Sequence, residues 1–476
     1  MVAPMLAPIW RRFLGHDVTV PRMFARWLAP DSPRRRYGIA LCIYVVTVVV
    51  YFVVAGPPRI ATHTPYNHYA HLAHAWLHKT HALAHGPPSY AGNNDFASFD
   101  GKTFISFPPF PAVLMLPFVA MAGSPERFAD GQFVIWLAAI GPAVLFLILE
   151  RLRITQRSER NELANVALTA LFAFGSVYFF SAVQGTVWFA AHAVGVGALA
   201  IALLFSLDAR RPFLAGLAFA CAWTSRPVML LATLVFALEA LRRHSSEAEE
   251  RDGFLANAMG QLRSLKWAPF VRSIVTFSLP LLASFALCSA YNYVRFHAMS
   301  PFAFGHEHLT VYWQARMLKW GLFSYHYLPK NLGITLTALP WLGPKEGAAA
   351  FGALFKINEH GLALWFTTPL YLWLLYPKRK SPLYVALALV AALQAVMLLM
   401  YQNSGWRQFG YRFSSDYALL LFVMLAVGGQ RFGSWFRGAA IWSLAWNLFG
   451  AISFDREAFD RFYFREGSQT VLYQPD

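Results

Sequence analysis

Charged side chains are scarce in this chain of 476 residues: Asp, Glu, Lys and Arg together make up 13% of it, and hydrophobic residues make up 57%. A typical soluble domain carries about 25% charged residues. The scarcity therefore excludes an ordinary soluble domain, and the mean hydropathy of +0.41 indicates a membrane protein with many spans. One membrane-embedded unit is the simplest organisation that this composition allows.

Acidic residues are the scarcer of the two charge types, with 24 Asp and Glu against 40 Lys and Arg, and the net charge is +16. The basic residues lie in short clusters between apolar runs, which is typical of membrane anchors rather than of a nucleic-acid-binding surface. We therefore expect no nucleic-acid partner. The apolar runs contain almost no carboxylates, which argues against an ion-coupled transporter.

Cysteine is rare as well. Cys42, Cys221 and Cys288 all lie inside apolar stretches, where a thiol behaves as a small hydrophobic side chain. The sequence therefore indicates no disulfide framework.

The apolar runs predict an all-α integral membrane protein. The first run, residues 37 to 56, is long enough at 1.5 Å per residue to cross a hydrocarbon core of about 30 Å. Arginines before this run should hold the N-terminus in the cytoplasm. Together with the basic clusters between runs, this gives about 11 crossings and an outer C-terminus. The further runs lie at about 131–149, 163–183, 187–207, 213–241, 273–294, 361–377, 382–401, 414–429 and 438–454.

Two apolar segments have lengths that do not fit full membrane crossings. Residues 111–122 are apolar but span only about 18 Å as a helix, so we expect an interfacial or dipping helix in the outer leaflet. Residues 213–241 have Arg pairs at both ends, which requires an even number of crossings in a stretch too short for two full spans. We expect a re-entrant pair that breaks at Pro227 and leaves Arg226 in a polar cavity.

This topology predicts three parts. They are a basic cytoplasmic N-terminus (1–36), a polytopic membrane domain (37–454) and an outer C-terminal tail (455–476). Within the membrane domain we expect a long first outer loop (57–130) with interfacial helices, a second large outer loop (295–360) and a cytoplasmic loop (242–272).

The first outer loop is rich in histidine. His71, His74, His78, His81 and His85 recur at steps of three and four, which places them on one stripe of a helix. The stripe is explained either as the polar face of an amphipathic surface helix or as a metal site. His74 and His78 are weak metal candidates, because no Glu stands in a zincin-type position between such pairs.

Asp95 and Asp100 are the only carboxylates between the first span and Pro109. An enzyme that deprotonates an acceptor hydroxyl needs a base, and a carboxylate near the membrane surface can serve. Asp100 precedes Gly101, a strong hairpin signal, so this residue has a structural explanation as well. Asp95 is the leading candidate base.

Three arginines are candidate phosphate ligands, because a guanidinium group binds phosphate oxygens in bidentate fashion. Arg226 lies at the predicted break, and Arg407 and Arg412 lie at the outer mouth of the next-to-last span. The structural alternative for Arg412 is an ion pair with Asp416, one turn further on, or a side chain that reaches to the interface.

These motifs together resemble the glycosyltransferase C superfamily, polytopic enzymes that take a sugar from a polyprenyl-phosphate carrier on the outer face of the membrane. The first loop is similar in its Tyr69-Ala-His-Leu-Ala helix and in the run from Asp100-Gly-Lys-Thr-Phe-Ile-Ser to Pro117-Phe118. Further similar motifs are Ser225-Arg-Pro227 and Gln408-Phe-Gly-Tyr-Arg-Phe413, as in bacterial members, with Tyr291-Asn-Tyr-Val-Arg-Phe296 and Tyr327-Leu-Pro-Lys-Asn-Leu332 in the second loop.

The resemblance implies a sugar transfer in which a first-loop base activates a lipid, glycan or protein acceptor and arginines stabilise the departing lipid phosphate. It implies a bacterial inner membrane enzyme, either a hexosyl- or a pentosyltransferase. Asn67 and Lys102 join the three arginines as predicted substrate-binding residues. The family usually has an acidic residue just beyond the first span, where this chain has His63, Tyr66 and Asn67. His63 is therefore an alternative base to Asp95 and Asp100.

Other membrane functions remain open from the sequence. A transporter or flippase for lipid-linked glycans would show a similar set of spans around an outward cavity. A polymerase or ligase that acts on polyprenyl-linked glycans would use the same lipid phosphate and the same arginines. The motifs require no cofactor. The alternative is an enzyme that uses a divalent metal ion.

Overall fold

The computed structural model describes residues 32–246, 253–311, 313–344, 346 and 352–464. Most of the predicted N-terminal segment 1–36, most of the tail 455–476 and part of the loop 242–272 lie outside these residues. The described residues are mostly helical, as predicted. The longer helices are Pro33–Ala55, His68–Leu77, Phe110–Ala122, Asp130–Ala138, Ile140–Ile154, Glu162–Phe174, Val187–Ser206, Pro212–Trp223, Thr233–His244, Phe254–Arg263, Trp267–Phe296, Leu328–Thr337, Pro382–Leu399, Ser415–Val427 and Ser434–Ser453.

Five of the described helical stretches are long and apolar enough to cross a membrane, so the chain is a multi-pass membrane protein. They are Pro33–Ala55, Asp130–Ile154, Val187–Ala209, Trp267–Phe296 and Pro382–Leu399. Other predicted runs are shorter helices or are interrupted. The run 163–183, for example, forms Glu162–Phe174 and, after a break at Gly175, Tyr178–Ala182. The count of about 11 crossings stays a prediction.

Basic clusters from distant parts of the sequence meet at one end of the helical bundle. Arg157 donates to Glu239 at 2.6 Å, and Arg151 pairs with Asp208 at 2.5 Å. Ion pairs of this kind between helix ends fix how the helices stand against one another. We call this cluster the ionic end; it comprises Arg35, Glu150, Arg151, Arg153, Arg157, Glu162, Asp208, Glu239 and Arg242.

The segment predicted as a re-entrant pair is broken where expected. The helix Pro212–Trp223 stops before Arg226, and a 3-10 turn follows at Pro227–Ala232. Pro227 has no amide hydrogen to donate back along a helix, which favours an end of the helix before it. Arg242, beyond the second half, pairs with Asp208, before the first half. Both ends of the segment therefore lie together at the ionic end.

The first outer loop contains a small antiparallel hairpin, with strands Phe96–Phe99 and Lys102–Ile105. Its turn residues Asp100 and Gly101 have φ of 49° and 69°, the positive pair that a tight hairpin turn requires. Phe110–Ala122 is a helix of 13 residues, as predicted for the short apolar segment.

The predicted His stripe is interrupted. The helix His68–Leu77 ends before it reaches His81, and Lys79 has a φ of 56° that no helix can contain. The expectation of one continuous stripe from His71 to His85 was therefore wrong. A steady spacing of three and four cannot reveal such a break when no Gly or Pro marks it.

Short strands pair the second loop with the beginning of the predicted C-terminal tail. The strand Phe355–Asn358 pairs with Trp341–Leu342 in antiparallel orientation and with Tyr463–Phe464 in parallel orientation. The sheet order places Phe355–Asn358 in the middle. The beginning of the C-terminal tail and the second loop therefore lie on the same side of the bundle.

Candidate active site

A cavity of about 390 Å³ opens at the end of the bundle away from the ionic end. It lies between the beginning of the helix Val187–Ser206, the break around Arg226, the end of Pro382–Leu399 and the two outer loops. Twenty residues of helix at 1.5 Å each put about 30 Å between Trp188 at the cavity and Asp208 at the ionic end. The cavity and the ionic end therefore stand at opposite ends of the bundle.

Asp95 stands at the root of the hairpin and lines the cavity. Its φ of 62° is a conformation that Asp tolerates better than most residues. The hydroxyl of Ser106, on the other side of the hairpin root, donates to the Asp95 carbonyl at 2.9 Å. This contact fixes the backbone from which the carboxylate projects.

The Asp95 carboxylate has one oxygen engaged by the protein. The indole Nε1 of Trp188 donates to Oδ2 at 2.7 Å, and no hydrogen bond from a described residue reaches Oδ1. Burial raises the pKa of Asp95 to about 6, although the Trp188 hydrogen bond and the charge of Arg412 lower it. A carboxylate with its pKa near neutrality and one free oxygen in a cavity is suited to accept a proton.

Arg412 is buried and belongs to the short turn that leads into the helix Ser415–Val427. Its Nη1 donates to the carbonyls of Gly405 and Arg407, the latter at 2.9 Å. None of the described carboxylates forms an ion pair with it, and its Nε is buried without a partner. Burial and the neighbouring charge of Arg226 lower the pKa of Arg412 to about 9. An anion in the cavity would relieve this unpaired charge.

Arg226 is the second cation on the cavity wall. Its Nε and Nη2 donate hydrogen bonds to Asp416 at 3.1 and 2.7 Å. Its Nη1 has no hydrogen-bond partner among the described residues. The guanidinium group therefore offers one free donor edge to a ligand. Asp416 is in turn hydrogen-bonded to His192 at 2.7 Å.

The rest of the cavity is largely apolar. Leu230 and Leu231 of the broken segment face Met397 and Leu398 at the end of the helix Pro382–Leu399. Phe302 and Phe323 of the second outer loop line it too, and their side chains are 47% and 42% exposed. An apolar wall beside two cations is suited to a molecule with a hydrocarbon part and an anionic head.

Two of the predicted site residues sit at the far end of the hairpin. Asp100 and Lys102 are exposed at its turn, and neither lines the cavity. Five residues of extended chain at about 3.3 Å each separate Asp100 from Asp95 by about 16 Å. Of the two aspartates, the structure brings only Asp95 to the arginines.

Two further predicted residues, His63 and Asn67, bond to other parts of the first loop. His63 donates its Nδ1 hydrogen to the Thr64 carbonyl, 3.0 Å away, and its ring packs on Tyr90. Asn67 is buried, takes the Tyr90 hydroxyl at 3.0 Å, and donates to the Pro125 carbonyl. Both therefore tie the start of the first outer loop to its later part.

Arg407 likewise belongs to a structural ion pair. It donates to Glu359 at 2.8 Å and lies 3.6 Å from Asp455. It is absent from the described cavity wall. Glu359 belongs to the second loop, 48 positions away, so this pairing could not be foreseen from local sequence.

The predicted alternative that Arg412 pairs with Asp416 was wrong. The helix begins at Ser415, so Arg412 lies outside it and the spacing of four carries no facing relation. Asp416 instead pairs with Arg226, 190 positions earlier.

The weak metal candidates His74 and His78 lie side by side. Their rings are 4.3 Å apart, and His78 Nδ1 is 2.9 Å from the His74 carbonyl. Across the described part of the chain, no three His, Cys, Asp or Glu side chains come together as a metal site would require.

The sequence did not single out Trp188, His192 and Tyr401, which lie on the cavity wall; it gave His306 only as a weak outward-facing signal and Asp416 only as a partner for Arg412. Each occurs in an otherwise ordinary apolar or loop segment. Asp416 carries the one usable signal, since a carboxylate at the beginning of an apolar run needs a cationic partner.

No protein-family model matches this chain, and no curated protein matches it either. Similar solved structures include that of ArnT from Cupriavidus metallidurans bound to undecaprenyl phosphate, with 13% identity and a TM-score of 0.42 over 84% of this chain and 62% of that one. They also include the apo oligosaccharyltransferase of Archaeoglobus fulgidus, with 16% identity and a TM-score of 0.39 over 86% and 56%.

A third similar structure is the oligosaccharyltransferase AglB from Archaeoglobus fulgidus in complex with an inhibitory peptide and a dolichol-phosphate. It has 14% identity and a TM-score of 0.35 over 86% of this chain and 56% of that one. The chain thus spans less than two thirds of the length of each of these proteins. Every TM-score lies below 0.5, so these similarities identify no function for the chain.

Proposed function

We propose that the protein is an integral-membrane glycosyltransferase that moves a sugar from a polyprenyl-phosphate donor to an acceptor. The observation that carries this proposal is the combination in one cavity of a carboxylate, Asp95, with two cations, Arg226 and Arg412, and an apolar wall. The wall suits a prenyl chain, the cations suit a phosphate, and the carboxylate suits an acceptor that must lose a proton.

The reaction follows from these positions. Asp95 Oδ1 takes the proton of the acceptor group, whose oxygen or nitrogen then attacks the anomeric carbon of the sugar. The bond between that carbon and the phosphate oxygen breaks, and the electron pair leaves with the lipid phosphate. Arg412 and the free Nη1 of Arg226 stabilise the charge that develops on this leaving group.

The cavity also predicts the stereochemistry. Asp95 is the only carboxylic acid among the described residues that line it. A double displacement would need a second carboxylate as nucleophile close to the sugar. We therefore expect a single displacement, which inverts the configuration at the anomeric carbon.

The orientation in the membrane belongs to the same proposal. The ionic end collects the basic clusters that border the apolar runs, so by the positive-inside rule it faces the cytoplasm. The cavity then opens on the outer face of a bacterial inner membrane, and the N-terminus lies inside. The outer loops 57–130 and 295–360 would be the two that border the cavity.

The test is sugar transfer by the purified protein in lipid nanodiscs, with a panel of radiolabelled polyprenyl-phosphate sugars. We expect turnover of at least one donor, its loss in Asp95→Asn, and its retention in the matched variant Asp100→Asn. Donor binding without turnover in the wild type would contradict the transferase and favour a flippase. Failure to bind any donor would contradict both.

A further inference from the structure

Next to Arg226 lies a pair of fully buried polar side chains, His192 and Asp416, both with 0% of the side chain exposed, and His192 also borders the cavity. His192 lies on the helix Val187–Ser206 and Asp416 on Ser415–Val427. His192 Nδ1 is 2.7 Å from Asp416 Oδ1, and Arg226 Nη2 is 2.7 Å from Asp416 Oδ2. Three side chains from three separate segments therefore form one line that ends at the cavity.

The direction of each hydrogen bond in this line is fixed. Asp416 is paired with a guanidinium group and is an acceptor, so His192 must carry its proton on Nδ1 and donate it. His192 Nε2 is buried and has no hydrogen-bond partner among the described residues. A second proton there would leave two positive charges, on His192 and on Arg226, to share the single buried carboxylate of Asp416, so His192 acts as a neutral donor.

The stem of Arg226 has little freedom to move. A Cβ added at Gly195 would lie 3.1 Å from Arg226 Cγ and 3.0 Å from the sulfur of Met229. On another side, the Arg226 guanidinium group lies 5.3 Å from the ring centre of Phe413. The absence of a side chain at Gly195 thus makes room for the Arg226 stem.

We propose that His192 is a positioning residue, which acts through Asp416 to hold the free Nη1 edge of Arg226 toward the anionic group of the substrate. His192 turns Asp416 to its correct orientation, and Asp416 fixes two of the three guanidinium nitrogens. This inference rests on the proposed function for the identity of the anion. The hydrogen-bonded line itself is a property of the protein alone.

A pair that only stabilised the fold would behave differently. Removal of the His192 donor would then lower stability without changing the orientation of Arg226 in the molecules that remain folded. Removal of a positioning group weakens anion binding in folded molecules. This weakening occurs in a protein that has Arg226 and is absent in a variant that lacks it.

The first measurement is binding of undecaprenyl phosphate to purified variants in nanodiscs, restricted to the folded fraction. His192→Phe keeps the size and loses the donor; we expect about tenfold weaker binding, the usual worth of one hydrogen bond to a charged group. His192→Asn places an amide nitrogen near the Nδ1 position, and we expect it to restore binding to within about threefold. Equal losses in both variants would overturn the proposal.

The second measurement is a double-mutant cycle with Arg226→Ala. If His192 acts through Arg226, His192→Phe should have no further effect on binding once Arg226 is absent. Additive losses in the double variant would show that His192 acts independently and would overturn the positioning role.

A readout without ligand separates this inference from the proposed function. Phenylglyoxal modifies accessible guanidinium groups, and peptide mass spectrometry reports the rate at Arg226 and Arg412 separately. We expect His192→Phe to accelerate modification of Arg226 several-fold, with Arg412 unchanged and His192→Asn at the wild-type rate. This pattern in a protein that binds no undecaprenyl phosphate would support the hydrogen-bonded line and contradict only the proposed ligand. An unchanged Arg226 rate in His192→Phe would overturn the inference.

Discussion

The two ends of this molecule use arginine in opposite ways. At the ionic end, Arg157 and Arg242 share Glu239 and Asp208, so each cation meets at least one carboxylate. At the cavity, Arg412 pairs with none of the described carboxylates, and Arg226 donates to Asp416 through only one edge of its guanidinium group. Both regions hold partly or fully buried arginines, yet of these two sets of described residues only the one at the cavity contains an arginine without a carboxylate partner.

The difference separates structure from function. A paired buried charge orders helices, and its removal leaves the partner uncompensated. An unpaired charge that faces a cavity costs stability and is retained where a ligand completes it. The following predictions contrast the two ends, beginning with the largest effect on activity.

Asp95→Asn should produce the largest loss. The amide cannot accept the acceptor's proton, so we expect kcat to fall by about 10³ with donor binding nearly unchanged. Steady-state transfer assays check this. Asp100→Asn, at the exposed hairpin turn, should remain within about twofold of wild type. A large loss in Asp100→Asn and none in Asp95→Asn would reverse the two roles.

Arg412→Gln should cause the second-largest loss of activity. The variant keeps hydrogen-bonding capacity but removes the charge that opposes the leaving phosphate, so we expect a loss of about 10² in kcat. Arg407→Gln breaks an ion pair outside the described cavity wall and serves as the matched control. Transfer assays on both variants in the same nanodiscs decide the comparison; equal effects would show that position relative to the cavity is irrelevant.

Trp188→Phe should shift the pH dependence rather than abolish turnover. Asp95 must be ionised to act as a base, and its pKa is raised to about 6, so activity should fall as the pH drops through about 6. The Trp188 hydrogen bond lowers that pKa, so its removal should move the acidic limb to higher pH. The pH profile of kcat checks this. Trp435→Phe, at an 88% exposed position, is the control; an unmoved limb in Trp188→Phe would contradict the assignment of Asp95.

Arg157→Met should change stability with little effect on chemistry. Arg157 is 11% exposed and Glu239 4% exposed, and breaking a buried pair of this kind costs about 3 kcal/mol. We expect a lower thermal unfolding midpoint and an unchanged kcat per folded molecule. Arg243→Met, an exposed neighbour, should leave both unchanged. Loss of kcat in folded Arg157→Met would break the distinction between the two ends.

Sequence reasoning succeeded where a local rule decides the outcome. Pro227 and the flanking Arg pairs predicted the break at Arg226, and the dipeptide Asp100-Gly101 predicted the hairpin turn. Sequence reasoning failed where the ion-pair partner of a residue lies far away along the chain. Asp416 was expected beside Arg412, yet tertiary packing gives it to Arg226 and His192.

The site was foreseen in part for the same reason. Asp95, Arg226 and Arg412 stood out as rare charges in apolar or aromatic surroundings, and the structure brings all three to one cavity. Arg407 carried a similar signal, whereas Asn67 and His63 were named with the family resemblance; all three find protein partners from distant segments. Whether a polar side chain meets a ligand or a neighbour depends on contacts that a single sequence does not encode locally.

The most direct test of the central claim is a cryo-electron microscopy structure of the protein in nanodiscs with undecaprenyl phosphate. We predict the phosphate within hydrogen-bond distance of Arg412 and of Nη1 of Arg226, with the prenyl chain along Leu230 and Leu231. A phosphate bound instead at Arg407 or at Lys102 on the hairpin turn, with the cavity free of lipid, would contradict the account.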